Sequence, residues 1–156
     1  MKNCFLLLLV VLMAASCQTS IDVFEKNVEI PDHSWNASFK PEIKFEVTDT
    51  AARYNIYAVV RHTDSYEFNN IWMNIYTSIP GDTAIKKQLL DLRLATDEKG
   101  WLGSGMDDIF EHRILITGQP EPLTKAGVYT FRFENLMRVD PLPEVMNIGV
   151  RVEKAK

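Results

Sequence analysis

Cysteine is nearly absent from this chain of 156 residues, which has only Cys4 and Cys17. Cys4 lies inside an apolar leader, so a single thiol remains for the rest of the protein, and one thiol forms no intrachain disulfide. A basic excess is also missing. Lys and Arg number 17 against 21 Asp and Glu, for a net charge of −4, and such a mixed, mildly acidic chain disfavours nucleic acid as a partner. No 3.6-residue apolar stripe of helical length occurs, and no second apolar run approaches the ~18 residues needed to cross a bilayer. There is no HExxH and no Ser-centred elbow, so the commonest hydrolytic motifs are missing.

What is present begins at the N-terminus. Lys2 supplies a positive start, residues 5–13 form a nine-residue apolar core, and Ala14-Ala15-Ser16 leads to Cys17. That pattern is a secretory signal peptide. A cysteine directly after three small residues resembles a bacterial lipoprotein box, in which the thiol is acylated and becomes the first residue of the mature protein. An ordinary secreted protein whose cleavage leaves a cysteine is the alternative. The expected organisation is residues 1–16 removed, residues 17–20 as acylated cysteine and short tether, and residues 21–156 as a domain. Each acyl CH2 buried in a bilayer contributes about 0.8 kcal/mol, so the chains on Cys17 form a firm anchor. The 140 residues from Cys17 onward carry 16 basic and 21 acidic side chains, and that length suits one domain with a proper core.

Along the mature chain the apolar pattern has period two. Ile43, Phe45 and Val47 alternate with Lys44 and Glu46. Ile71, Met73 and Ile75 alternate with Trp72, Asn74 and Tyr76. Leu90, Leu92 and Leu94, then Tyr129, Phe131 and Phe133, then Ile148, Val150 and Val152 repeat the pattern. Residues 54–62 are apolar on both faces and read as a central strand, while residues 23–30 and 109–116 are weaker strands. Turn signals fall between the runs, at residues 31–32, 49–50, 80–82, 100–105, 118–122 and 141–143. Residues 135–139 are a candidate for one helical turn. About eight short strands at this spacing predict an all-β, antiparallel β-sandwich or jelly-roll-like fold in a single domain.

Two constellations are candidates for chemistry, and each has a plain structural alternative. His62 and Asp64 stand two apart at the end of the central strand, so both point to one face. They suit a general-base dyad or two metal ligands, although no third ligand is near in sequence; the alternative is a hydrogen-bonded turn. The stretch 97–111 surrounds Trp101 with glycines and continues into Asp107, Asp108 and Glu111. An exposed Trp101 beside carboxylates suits stacking on a sugar, and the three carboxylates suit calcium, though the spacing matches no known loop. The alternative is a long hairpin connection whose glycines permit left-handed turns and whose Trp packs underneath. By parity Phe39, Trp72, Phe131 and Phe133 read as mostly core, whereas Trp35 and Trp101 read as loop residues and better surface candidates. No catalytic residue, metal or cofactor is assigned, and the chain is not read as an enzyme.

The string Ile56-Tyr57, Arg61-His62-Thr63-Asp64 and Asn69-Asn70-Ile71-Trp72 resembles the gliding-motility lipoprotein H family of Bacteroidetes. So do Phe24 to Asn27, Pro80 to Thr83, Gly100 to Ile109, Met137-Arg138 with Pro141-Leu142-Pro143, and the ending Ile148 to Lys154. The resemblance spans essentially the whole mature chain. It implies a cell-envelope lipoprotein of the gliding apparatus and the type IX secretion system, partnered with other envelope lipoproteins or secretion and motility proteins. It implies no enzymatic activity. Gln18 after the cysteine, rather than Asp, makes the outer membrane the expected destination, and the uncharged residues 18–21 favour its periplasmic face. A carbohydrate- or ligand-binding lipoprotein sandwich using the Trp101 loop is the competing reading.

Overall fold

The computed structural model describes residues 23–156; the leader, Cys17 and the tether lie outside them. Among the described residues eight strands are six residues or longer. They are β1 (Val23–Glu29), β2 (Glu42–Val47), β3 (Arg53–Thr63), β4 (Asn70–Ser78), β5 (Ile85–Arg93), β6 (Ile109–Leu115), β7 (Gly127–Asn135) and β8 (Val145–Lys154). No helix among these residues is long and apolar enough to cross a membrane.

The strands form two antiparallel sheets, ordered β1-β8-β3-β6 and β2-β7-β4-β5. This is jelly-roll order: the chain behaves as one long hairpin, tipped between β4 and β5 and rolled up so that 1 pairs with 8, 2 with 7, 3 with 6 and 4 with 5. The all-β, antiparallel, single-domain expectation is met. Short strands complete the roll. Ser104–Met106 extends the larger sheet beyond β6, Glu121–Pro122 pairs with the start of β3, and Ser34–Trp35 pairs with Leu142–Pro143 across one end.

Period-two alternation decides which face is buried. Ile71, Met73, Ile75, Phe131, Phe133, Ile148, Val150 and Val152 are all at most 1% exposed, so both sheets turn these residues into a common core. Each fully buried side chain of this size contributes about 1.5–3 kcal/mol. Three expectations are corrected here. Trp35 is fully buried rather than a surface residue, because its two-residue strand closes the end of the core and its indole N–H donates to the Phe39 carbonyl at 2.9 Å. Trp72 and Phe39 are exposed, at 39% and 36%: Trp72 has the outward parity of β4, and Phe39 precedes β2. Residues 135–139 make no helical turn; β7 runs into them and a bend follows.

Charge covers the outside of the larger sheet. Arg113 on β6 donates to Glu25 on β1 at 2.9 and 3.0 Å, crossing β3 and β8. Arg151 donates to the same carboxylate at 2.9 Å, and Glu111 takes both Arg113 and Arg61. Gly149 lies beneath this span, where a Cβ would collide with the Asn27 side chain and come within 2.7 Å of the Lys26 carbonyl oxygen.

Candidate functional site

Antiparallel pairing of β3 with β6 sets Val60 opposite His112 and His62 opposite Phe110. The two histidines are therefore diagonal neighbours on the inner face. Their rings stack with centroids 5.0 Å apart, and the Nε2 atoms are 2.9 Å apart. Exposure is 0% at His62 and 2% at His112. His62 is thus a buried group rather than part of any surface, and the side chain it hydrogen-bonds is His112.

The hydrogen bonds fix the tautomers. His62 Nδ1 is 2.7 Å from the Thr63 carbonyl oxygen, which only accepts, so Nδ1 carries the proton. The neutral ring then offers Nε2 as acceptor, and His112 donates to it through Nε2–H. Burial holds both rings below the usual imidazole range. For His112 desolvation is the larger cause and the neighbouring His62 the second, and together they bring it down to about 4. The pair is neutral at physiological pH.

Trp101 lies over this pair. Its ring is edge-on to His62 at 4.4 Å, and its indole N–H donates to Asp64 at 2.9 Å. Tyr66 and Phe110 pack at 5.1 and 5.9 Å from the His62 ring. Asp64 therefore serves Trp101 rather than His62, and its backbone N–H donates to the Asp108 carbonyl at 2.7 Å. Asp107 and Asp108 form the turn into β6, Asp107 in the left-handed region at φ 56°, and both side chains are exposed. The structure thus gathers His62, Asp64, Trp101 and the Asp108 backbone, and leaves the two carboxylates on the rim. No group of three His, Cys, Asp or Glu side chains suited to a metal ion is present among the described residues.

The glycines of this connection act mainly through space. Gly100 is left-handed at φ 64°. Gly103, by contrast, brings its backbone so close to β6 that a Cβ would sit 2.5 Å from the Glu111 carbonyl oxygen, and one at Gly105 would sit 2.8 Å from the Phe110 ring. They let the 95–106 segment lie flat on the histidine pair. His112, Tyr66 and Phe110 carried no local signal; only the β3–β6 register, with 50 residues between the two histidines, reveals them.

A second feature lies on the outside of the smaller sheet. Phe68, Trp72, Leu136, Met137, Arg138 and Val139 line a shallow cleft of about 470 Å³. Trp72, Leu136 and Val139 are 39%, 40% and 43% exposed. The Leu136 backbone N–H donates to the Trp72 carbonyl at 3.0 Å, which sets the two residues side by side. The described chain enters at Val23, which pairs with Glu153 on the larger sheet. The cleft is therefore on the opposite sheet from Val23 and toward the opposite end of the strands, since Val23 is level with Asn55, about 25 Å along β3 from Thr63.

A family model described as GldH lipoprotein matches residues 22–152. A curated relative, the "Gliding motility lipoprotein GldH" of Flavobacterium johnsoniae, is 23% identical over 160 residues, covering 98% of this chain and 97% of that protein. Among solved structures, the infectious bursal disease virus VP2 subviral particle aligns with 90% of this chain at 11% identity and a TM-score of 0.24. The Gx strain of that virus aligns at 14% identity and a TM-score of 0.24. The chain spans 43% and 44% of those two chains, and likeness at that score carries no argument.

Proposed function

The chain belongs to the GldH lipoprotein family, and from that premise we propose that it is a non-enzymatic component of the gliding or type IX secretion machinery, acting through protein–protein contacts. As a family member it is a gliding-motility-associated lipoprotein of the cell envelope. The finer reading has residues 1–16 cleaved, Cys17 acylated in the outer membrane and the domain facing the periplasm.

The observation that carries the contact role is the cleft around Trp72, Leu136 and Val139. An exposed patch of Trp and aliphatic side chains beside an arginine has the composition of a protein interface core. It also faces away from the point where the tether enters, so an anchored domain presents it to the periplasmic space. The carbohydrate reading has less support, because the Trp101 indole N–H is committed to Asp64 and the ring to His62.

Deleting the gene in its own host and measuring colony spreading and type IX cargo release tests this reading. Loss of either, restored by the natural chain but not by Cys17→Ala, is the expected result. Unchanged spreading and secretion in the deletion strain would overturn it. Protease shaving of intact cells should leave the protein uncut; digestion without lysis refutes the periplasmic orientation.

A further inference from the structure

We propose that β5 is a homodimerisation edge, along which two copies of this chain pair antiparallel about Leu89. β5 is the last strand of the smaller sheet and is paired on one side only, with β4. That pairing runs through nine consecutive residues without a bulge, and residues 85–93 contain no Pro or Gly. Edge strands are usually kept apart by prolines, bulges or inward charges. Here the one inward charge, Lys86, is answered by Glu121 at 3.6 Å. Ile85 and Leu89 are 51% and 58% exposed, among the more exposed large apolar side chains described.

The sequence of the edge is self-complementary. Directly opposed residues of an antiparallel pair share a face, so outward side chains meet only outward ones. Centring the pair on Leu89 overlaps all nine residues. It sets Leu89 against its own copy, places Lys87 against Asp91 of the second copy twice, and lays Ile85 along the stem of Arg93. Opposite charges so placed are stabilising and like charges destabilising. Moving the centre to Leu90 sets Lys87 against Arg93. Moving it to Gln88 sets Ile85 against Asp91. Charge therefore selects one register, and the contact closes on itself as a two-fold dimer without propagating.

The two-fold axis of such a pair runs normal to the smaller sheet. Both copies then keep their larger sheets on one side, so both Val23 residues leave on that side. This is the geometry that two chains tethered to one membrane require, an agreement that rests on the Cys17 anchor proposed above. Both Trp72 clefts face the other way.

Leu89→Cys in the full-length chain, oxidised in native membranes, tests the proposal. Opposed Cβ atoms in such a pair are about 4.5–5.5 Å apart, near disulfide range. A disulfide dimer several-fold above a Val128→Cys control is expected, Val128 being 48% exposed on an interior strand of the same sheet. Adding Lys87→Asp should suppress crosslinking, and adding Asp91→Lys to that variant should restore it. Crosslinking no better than the control, or indifferent to both charge changes, would overturn the dimer. Limited proteolysis of each variant confirms folding, and the readout is independent of spreading or secretion.

Discussion

His62 and His112, fifty residues apart in the chain, share one hydrogen bond between their Nε2 atoms in the core of the roll. The geometry accommodates one proton between two nitrogens, and burial resists a second. An imidazole held down in the folded state makes folding weaker wherever the unfolded chain is protonated and the native one is not. Stability is therefore full above pH ~6.5, declines as pH falls toward about 4 and is flat with respect to this group below that. The His112 shift amounts to about 3 kcal/mol across this window. Urea unfolding at pH 7 and pH 4 should show at least that loss, and His112→Leu should reduce the pH dependence while His62 and the ion-paired carboxylates retain theirs.

Asp64 holds Trp101 in place from the rim. Asp64→Ala should cost about 1 kcal/mol, the usual worth of a hydrogen bond, and shift the Trp101 share of the emission to the red, measured against Trp101→Phe. Soluble glycans should leave the tryptophan emission of the natural chain unchanged.

Gly149 permits β1 and β8 to approach beneath the Arg113–Glu25 span. Gly149→Ala drives a methyl group into Asn27 and the Lys26 carbonyl, and should cost about 3 kcal/mol by overpacking. Asn27 Oδ1 is buried without a hydrogen-bond partner, so adding Asn27→Ala to that variant should recover part of the loss. Thermal melts of the natural chain and the two variants make the comparison.

Trp72→Glu and Leu136→Glu alter exposed side chains. Each should change unfolding free energy by no more than about 0.5 kcal/mol, while abolishing complementation of the deletion strain. A variant that is both stable and fully active would remove the cleft from the contact role.

The strands were legible because a two-layer sandwich forces alternation on each of them. Ile71, Met73 and Ile75, or Tyr129, Phe131 and Phe133, announce both element and buried face. Strand order was not legible, since pairs such as Glu25 and Arg151, 126 residues apart, depend on how the hairpin rolls. The same blindness hid the site. Asp64 is visible two residues from His62, yet it binds Trp101, while the true companion of His62 arrives on β6. Trp35 misled for a related reason: a two-residue strand is too short to show a period, and only its pairing with Leu142–Pro143 explains its burial.

The position of β8 also sets the timing of folding. This last strand of the chain is inserted between β1 and β3, in the middle of the larger sheet. A polypeptide delivered through a translocation channel from its N-terminus thus exposes β1 first and supplies the one strand that pairs with β1 among the described residues last. Until residues 145–154 emerge, the larger sheet is split and its core faces are wet. For a chain delivered in that way, folding would follow delivery instead of accompanying it, and a chain lacking only residues 145–156 loses its centre rather than its tail.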